Sequence, residues 1–226
     1  PIPSQPFFLG QKVTRTPSAY KDKLKGLYAI TDENLIAEEC FSAAIESALL
    51  GGTRIIQYRD KSDNQKKRFE QANMLRSLCT QYQAICIIND DIDLAKAVKA
   101  DGVHLGRDDT ELLNARQALG KEAIIGISCY NDIELAVAAE KNSADYVAFG
   151  TMFSSPTKPD AVSATPAIIS QAKQKINIPM CAIGGLTEQN IHQLIRHHTD
   201  MAAVISSLFA AGDIENTANR LSQHFK

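Results

Sequence analysis

One regularity constrains this chain more than any other. From Gly26 to the C-terminus, short apolar or β-branched runs alternate with helical stretches, and the pair repeats eight times. The runs at 27–31, 54–58, 84–88, 102–105, 124–128, 146–149, 180–183 and 202–206 read as strands. Helices are expected at 40–50, 63–82, 92–99, 112–119, 132–142, 166–175, 188–197 and 213–225. In the second, Phe69, Ala72, Leu75, Leu78 and Cys79 recur at steps that mark one buried face. Repeated β–α units imply a parallel sheet, and eight is the number that closes a (β/α)8 TIM barrel, an α/β fold. An open doubly wound sheet usually needs fewer units, and no G-x-G-x-x-G follows the first run. Residues 1–25, with three prolines at the front and a Lys-rich end, read as an extension that packs outside or stays mobile. The barrel domain is therefore expected over 26–226.

Bulk properties narrow the partners. A net charge of -2 gives no bias toward nucleic acid or an anionic membrane, so any charge that holds phosphate must be local. The five cysteines, at 40, 79, 86, 129 and 181, contain no C-x-x-C pair and mostly sit in apolar runs. Buried free thiols in a reducing cytoplasm are the expectation. No apolar stretch approaches the ~20 residues that span a bilayer. The N-terminus lacks an export signal, which also points to the cytoplasm. Because residue 1 is Pro, the start is expected upstream or removed.

In such a barrel the active site is built by loops at the C-terminal ends of the strands, and chemically useful residues gather there. The second run leads into Gln57-Tyr58-Arg59-Asp60-Lys61, where period-two alternation puts Gln57, Arg59 and Lys61 on one side. That side can hold a polar ring and a polyanion, although a solvated charged loop would look the same. The third ends in Asn89-Asp90-Asp91-Ile92-Asp93, more acid than one helix cap needs. The fourth ends in Gly106-Arg107-Asp108-Asp109. Carboxylates on these adjacent loops can share one Mg2+, or simply open their helices. Ser128, ending the fifth, can donate to an anion, and no histidine nearby in sequence activates it as a nucleophile. Past the sixth lies Ser154-Ser155-Pro156-Thr157-Lys158, with hydroxyls and an ammonium suited to phosphate. The seventh and eighth end in Gly184-Gly185 and Ser206-Ser207, where barrels often bind phosphate. His104, inside the fourth run, receives no role, and His192, His197 and His198 read as outer-ring surface.

Taken together, these motifs resemble thiamine phosphate synthase, from about Gly26 to the C-terminus. The resemblance rests on Gln57 to Lys61, Asn89-Asp90-Asp91, Gly102 to Gly106 with Asp109, Asp145 through Lys158, Ile183 to Leu186 and Val204 to Ser206. It implies an enzyme, a transferase that joins 4-amino-2-methyl-5-hydroxymethylpyrimidine diphosphate to a thiazole phosphate and releases pyrophosphate. Gln57 would contact the pyrimidine, while Arg59, Lys61, Asn89, Ser128 and Lys158 would hold the diphosphate. Asp90 and Asp109 would bind Mg2+. Ser155, Pro156, Thr157, Gly185, Ile205 and Ser206 would line the thiazole phosphate site. The chain departs from the commonest pattern at Ser155, Arg107 and Tyr130, where Thr, Gln and His are frequent.

Other readings remain open at this point: a thiazole tautomerase-like barrel, a non-catalytic thiamine phosphate-binding regulator, or a Schiff-base aldolase using Lys61 or Lys158. The first two would not need the full cation and carboxylate set. Lysines in charged loops are poorly placed for the pKa depression that the third requires.

Overall fold

A computed structural model describes residues 21–106, 109–154 and 162–226, with all side chains except those of Lys21, Asp109 and Thr110. Eight parallel strands close in sequence order: β1 (Gly26–Ile30), β2 (Ile55–Tyr58), β3 (Ile85–Asn89), β4 (Gly102–Leu105), β5 (Ile124–Tyr130), β6 (Tyr146–Phe149), β7 (Met180–Ile183) and β8 (Met201–Val204). Closure is direct, with Gly26 opposite Met201 and Ala29 opposite Val204. The expected (β/α)8 barrel is the fold.

Around it lie α1 (Phe41–Leu50), α2 (Gln65–Gln81), α3 (Ile92–Ala97), α4 (Asp109–Leu119), α5 (Ile133–Lys141), α6 (Ala167–Ala172), α7 (Ile191–Arg196), α8 (Ser206–Phe209) and α9 (Ile214–Gln223). Among the described residues, four helices open on side-chain caps. Asn64, Asp91, Asp132 and Asp213 each accept from a backbone N–H three residues on, satisfying a donor the helix leaves unpaired.

The eighth run was expected to stay extended through Ser206. Instead β8 stops at Val204, the chain turns at Ile205, and Ser206 begins the short helix α8. The Ile205 carbonyl accepts from Leu208 and Phe209 N–H groups, which fixes the turn. Ile205, β-branched and next to Val204, prolongs the apolar run by type although the backbone turns there. In α2 the buried face is Gln71, Ala72, Leu75 and Cys79, and Phe69 stands 47% exposed. At 100° per residue Phe69 lies about 120° from Leu75, whereas Gln71 and Cys79 flank it within about 40°. Gln71 is buried because its amide oxygen accepts from the Tyr58 hydroxyl.

The core has two parts. One lies between strands and helices and includes Ile45, Leu75, Val103, Ile125 and Leu194. The other fills the barrel with Tyr28, Ile55, Ile87, Ile124, Tyr146 and Met201 among others. Leu24, assigned from sequence to the extension, is 2% exposed and packs with this inner set. Gly126 makes the inner packing possible, since a Cβ there would meet the Tyr146 ring at 2.1 Å. Four of the five cysteines are buried free thiols and Cys40 is exposed. Burial pushes the Cys129 thiol up to about 12. Among the described residues no helix is long and apolar enough to cross a membrane.

Candidate active site

The C-terminal ends of β2, β3, β4 and β5 carry a connected set of polar groups. Just past β2, the Thr31 hydroxyl accepts from the Arg59 N–H (2.8 Å) and donates to the Arg59 carbonyl (3.1 Å), tying the β1 and β2 loops together. The Arg59 guanidinium lies 3.5 Å from Asp32 and 4.0 Å from Glu33. Asp60 turns the other way. It accepts from Ser62 N–H (2.7 Å) and pairs with Lys67 (2.8 Å), so the loop is anchored from beneath. Lys61 reaches across to β3, where its ammonium donates to Asp90 Oδ2 at 2.8 Å.

Asn89 also donates to Asp90 Oδ2, at 2.7 Å. The acidic run after β3 divides cleanly between roles. Asp91 caps α3 and pairs with Arg68 at 2.7 Å. Asp90 is left as the surplus carboxylate, half exposed, with φ +60°. That left-handed conformation is one few residues adopt, and it re-aims the side chain at the strand end. Its own N–H donates to the His104 carbonyl on β4.

Inside the barrel, hydrogen bonds cross from wall to wall. Gln57 Nε2 donates to the Tyr28 hydroxyl (2.8 Å), and the Tyr28 and Tyr146 hydroxyls share a bond of 2.9 Å. Tyr146 bonds His104 Nδ1 at 2.9 Å, and His104 Nε2 bonds the Ser128 hydroxyl at 2.9 Å. Burial holds His104 down to about 4, so its ring is neutral at neutral pH. Burial likewise pushes both phenols above their ordinary range, so each keeps its proton. Sequence reasoning gave His104 no role and passed over Tyr28 and Tyr146. Their signal was weak because Tyr28 and Tyr146 are 118 positions apart, and only barrel closure brings them together.

On the far side, the segment after β6 folds over the end of β7. Met152 N–H donates to the Ile183 carbonyl and Phe153 N–H to the Gly184 carbonyl. A Cβ on Gly185 would lie 2.5 Å from the Ser154 carbonyl oxygen, so only glycine admits this contact, and its φ of +62° makes the same demand. Ile205 and Ser206 stand at the β8 end, half-buried.

Of the residues expected in the site, the structure brings Lys61, Asn89 and Asp90 into direct contact, and links Gln57 to Ser128 through the interior. Arg59 is held at the neighbouring strand end by Thr31. Gly185 contacts the loop that leads toward Ser155. Ser155, Pro156, Thr157, Lys158 and Arg107 lie outside the described residues, as does the side chain of Asp109, whose backbone opens α4.

The carboxylates and the Asn89 amide are hard oxygen donors of the kind Mg2+ takes. Among the described residues no group of three or more His, Cys, Asp or Glu forms a ready-made metal cage. Two protein carboxylates completed by water and phosphate would need none, and Asp90, exposed and not used to cap a helix, fits one of those positions.

At the opposite end of the barrel, a cavity of about 400 Å3 is lined by residues such as Asp22, Leu24, Lys173 and Asp200. Lys173 and Asp200 are 3.8 Å apart there, and this face gathers none of the strand-end residues.

Known proteins share this fold and much of this sequence. A family model described as thiamine monophosphate synthase matches residues 27–208. The thiamine-phosphate synthase of Nitrosococcus oceani is 48% identical over 202 residues, covering 89% of this chain and 93% of that protein. That of Thioalkalivibrio sulfidiphilus is 45% identical over 205 residues, covering 91% and 97%. Among solved structures, thiamine phosphate pyrophosphorylase from Pyrococcus furiosus superposes with a TM-score of 0.82 at 34% identity, covering 91% of this chain and 96% of that one.

Proposed function

The chain belongs to the thiamine monophosphate synthase family, and from that membership we propose that it is a transferase that makes thiamine phosphate. The substrates in this reading are 4-amino-2-methyl-5-hydroxymethylpyrimidine diphosphate and a thiazole phosphate, both small phosphorylated molecules. The reaction breaks the C–O bond to the diphosphate and forms a C–N bond to the thiazole nitrogen, with pyrophosphate leaving.

The observation that carries the reading is the contact of Lys61, Asn89 and Asp90 at adjoining strand ends, within a chain matched to the family along most of its length. As the C–O bond lengthens, negative charge builds on the diphosphate and positive charge on the pyrimidine methylene. Cationic and N–H donors already in place stabilise the leaving group without reorganising, an effect worth several kcal/mol. Arg59, Lys61, Asn89 and Ser128 would act there, together with Lys158. Gln57 would hold the pyrimidine ring. Asp90 and Asp109 would hold Mg2+, which supplies further positive charge to the diphosphate when bound.

The thiazole is positioned rather than activated. Its phosphate would be held by Ser155, Pro156, Thr157, Gly185, Ile205 and Ser206, which keeps its nitrogen in line with the electron-poor carbon. No protein nucleophile is required. Cations at the diphosphate end would serve this reading and not the tautomerase-like and regulator alternatives, which break no bond to diphosphate.

The direct test is to combine both phosphorylated substrates with the protein and Mg2+ and to follow the products. Thiamine phosphate and pyrophosphate are expected in equal amounts, with turnover lost on chelation. Binding of thiamine phosphate without turnover would favour the regulator and overturn the proposal.

A further inference from the structure

The chain of hydrogen bonds through the barrel leaves few options for its protons. Tyr28 and Tyr146 are buried, and each has one hydroxyl proton to place. An imidazolium donating at both nitrogens, with Gln57 donating at the other end, would strand a phenol proton between them, so one His104 ring nitrogen donates and the other accepts. The Gln57 amide faces Tyr28 with its NH2 group. Tyr28 therefore accepts from Gln57 and must spend its own proton on Tyr146, because a phenol accepting on both sides would strand that proton in an apolar interior.

The same count applies at the next residue. Tyr146 accepts from Tyr28 and so donates to His104 Nδ1. His104 then carries its proton on Nε2 and donates to the Ser128 oxygen. The Ser128 proton is left over, and so is the Gln57 carbonyl oxygen at the other end. The reverse order is equally complete, but it requires the Gln57 amide to turn over and every bond between to switch with it. The Gln57 amide cannot turn over without switching every bond as far as Ser128.

We propose that Tyr28, Tyr146 and His104 are positioning residues that fix Gln57 with its carbonyl, and Ser128 with its hydroxyl proton, toward the mouth of the barrel. The wall then offers one acceptor and one donor at separate points. That pattern takes a heterocycle with an amino substituent, a donor, at Gln57 and an anionic group, an acceptor, at Ser128. A ligand that needed the NH2 group of Gln57 in place of its carbonyl would have to turn the amide and reverse the whole chain. The inference deepens the functional reading above and rests on it for the identity of the ligand.

Two measurements on the full chain test it. The first needs no substrate. In protein labelled with 15N-histidine, the ring nitrogens of His104 should report the neutral tautomer protonated on Nε2, with Nδ1 bare. The Nδ1-protonated tautomer in the free protein would overturn the proposal. The second compares Tyr28→Phe, Tyr146→Phe and the double variant, which keep the rings and remove the hydroxyls. Each single change should raise KM for the pyrimidine diphosphate about tenfold and leave KM for the thiazole phosphate unchanged. The double variant should show about the same tenfold effect, because a chain already cut loses little by a second cut.

Multiplying losses of about a hundredfold, or equal losses for both substrates, would mean simple packing and would sink the relay. If the wild-type protein makes no thiamine phosphate, the reading of the reaction fails, and the tautomer still decides the relay.

Discussion

The Lys61 ammonium lies 2.8 Å from Asp90 Oδ2, joining the loops that follow β2 and β3. Both side chains are about half exposed (54% and 52%), so the pair contributes ~1 kcal/mol or less to folding. Its interest is chemical: it joins a residue proposed to hold diphosphate to one proposed to hold Mg2+. Lys61→Ala and Asp90→Ala should each lower turnover at least about tenfold, one step of 1.4 kcal/mol in barrier. Thermal melts of both variants should stay close to wild type. Wild-type rates in both would refute the site assignment.

A second pair belongs to the fold alone. Arg116 donates to Asp145 at 2.6 Å and to the carbonyls of Ala123 and Ser143, and the Asp145 side chain is 2% exposed. Asp145 also accepts from Ile125 N–H, so it pins β5 beside β6. Arg116→Ala would leave that carboxylate buried without its main countercharge. A loss of roughly 3–5 kcal/mol is expected, visible as a Tm lowered by roughly 10 °C.

Asp60 ties stability to pH. Burial alone would raise its pKa, but the Lys67 ammonium and the Ser62 N–H more than offset that, and the carboxyl sits below its ordinary value. A depressed folded-state pKa means that the unfolded chain binds protons first. The stabilisation is therefore complete above the ordinary carboxylate pKa and fades as the pH falls through it toward the folded value. Urea unfolding of wild type and Asp60→Asn should show a stability gap at pH 7 that closes on acidification. A gap independent of pH would count against the pairing.

Gly185 offers a test of the proposed thiazole phosphate site. A methyl group there would press on the Ser154 and Phe153 carbonyls, at 2.5 and 2.6 Å, in a backbone conformation with φ +62°. Gly185→Ala should cost ~1–3 kcal/mol in strain and displace the β6 loop. KM for the thiazole phosphate should rise while KM for the pyrimidine diphosphate holds. Steady-state kinetics with each substrate varied in turn would separate the two.

Much of the fold was legible because barrel strands buried on both faces read as continuous apolar runs, and six of eight ended within one residue of where composition placed them. β5 ran two residues further, to Tyr130, and β8 stopped two short, at Val204, since the turn at Ile205 depends on backbone angles that residue type does not encode. Phe69 misled because an aromatic residue near an apolar stripe looks buried, while Gln71, the true occupant, is polar and needs Tyr58 to be satisfied. The strand-end residues Arg59, Lys61, Asn89 and Asp90 stood out by chemistry and position together. Tyr28, His104 and Tyr146 did not, since interior residues of strands read as packing until the barrel is closed.

The polar thread from Gln57 to Ser128 has a thermodynamic implication of its own. Replacing both partners of a buried hydrogen bond with apolar groups of similar shape is often neutral or stabilising, and the surrounding isoleucines would pack readily against phenylalanine. Tyr28 and Tyr146 also satisfy Gln57 and His104, so laboratory evolution for heat resistance alone would be free to erase the thread only as a whole, with apolar groups at all four positions. Melting points that climb while catalytic efficiency falls would be the signature of that exchange.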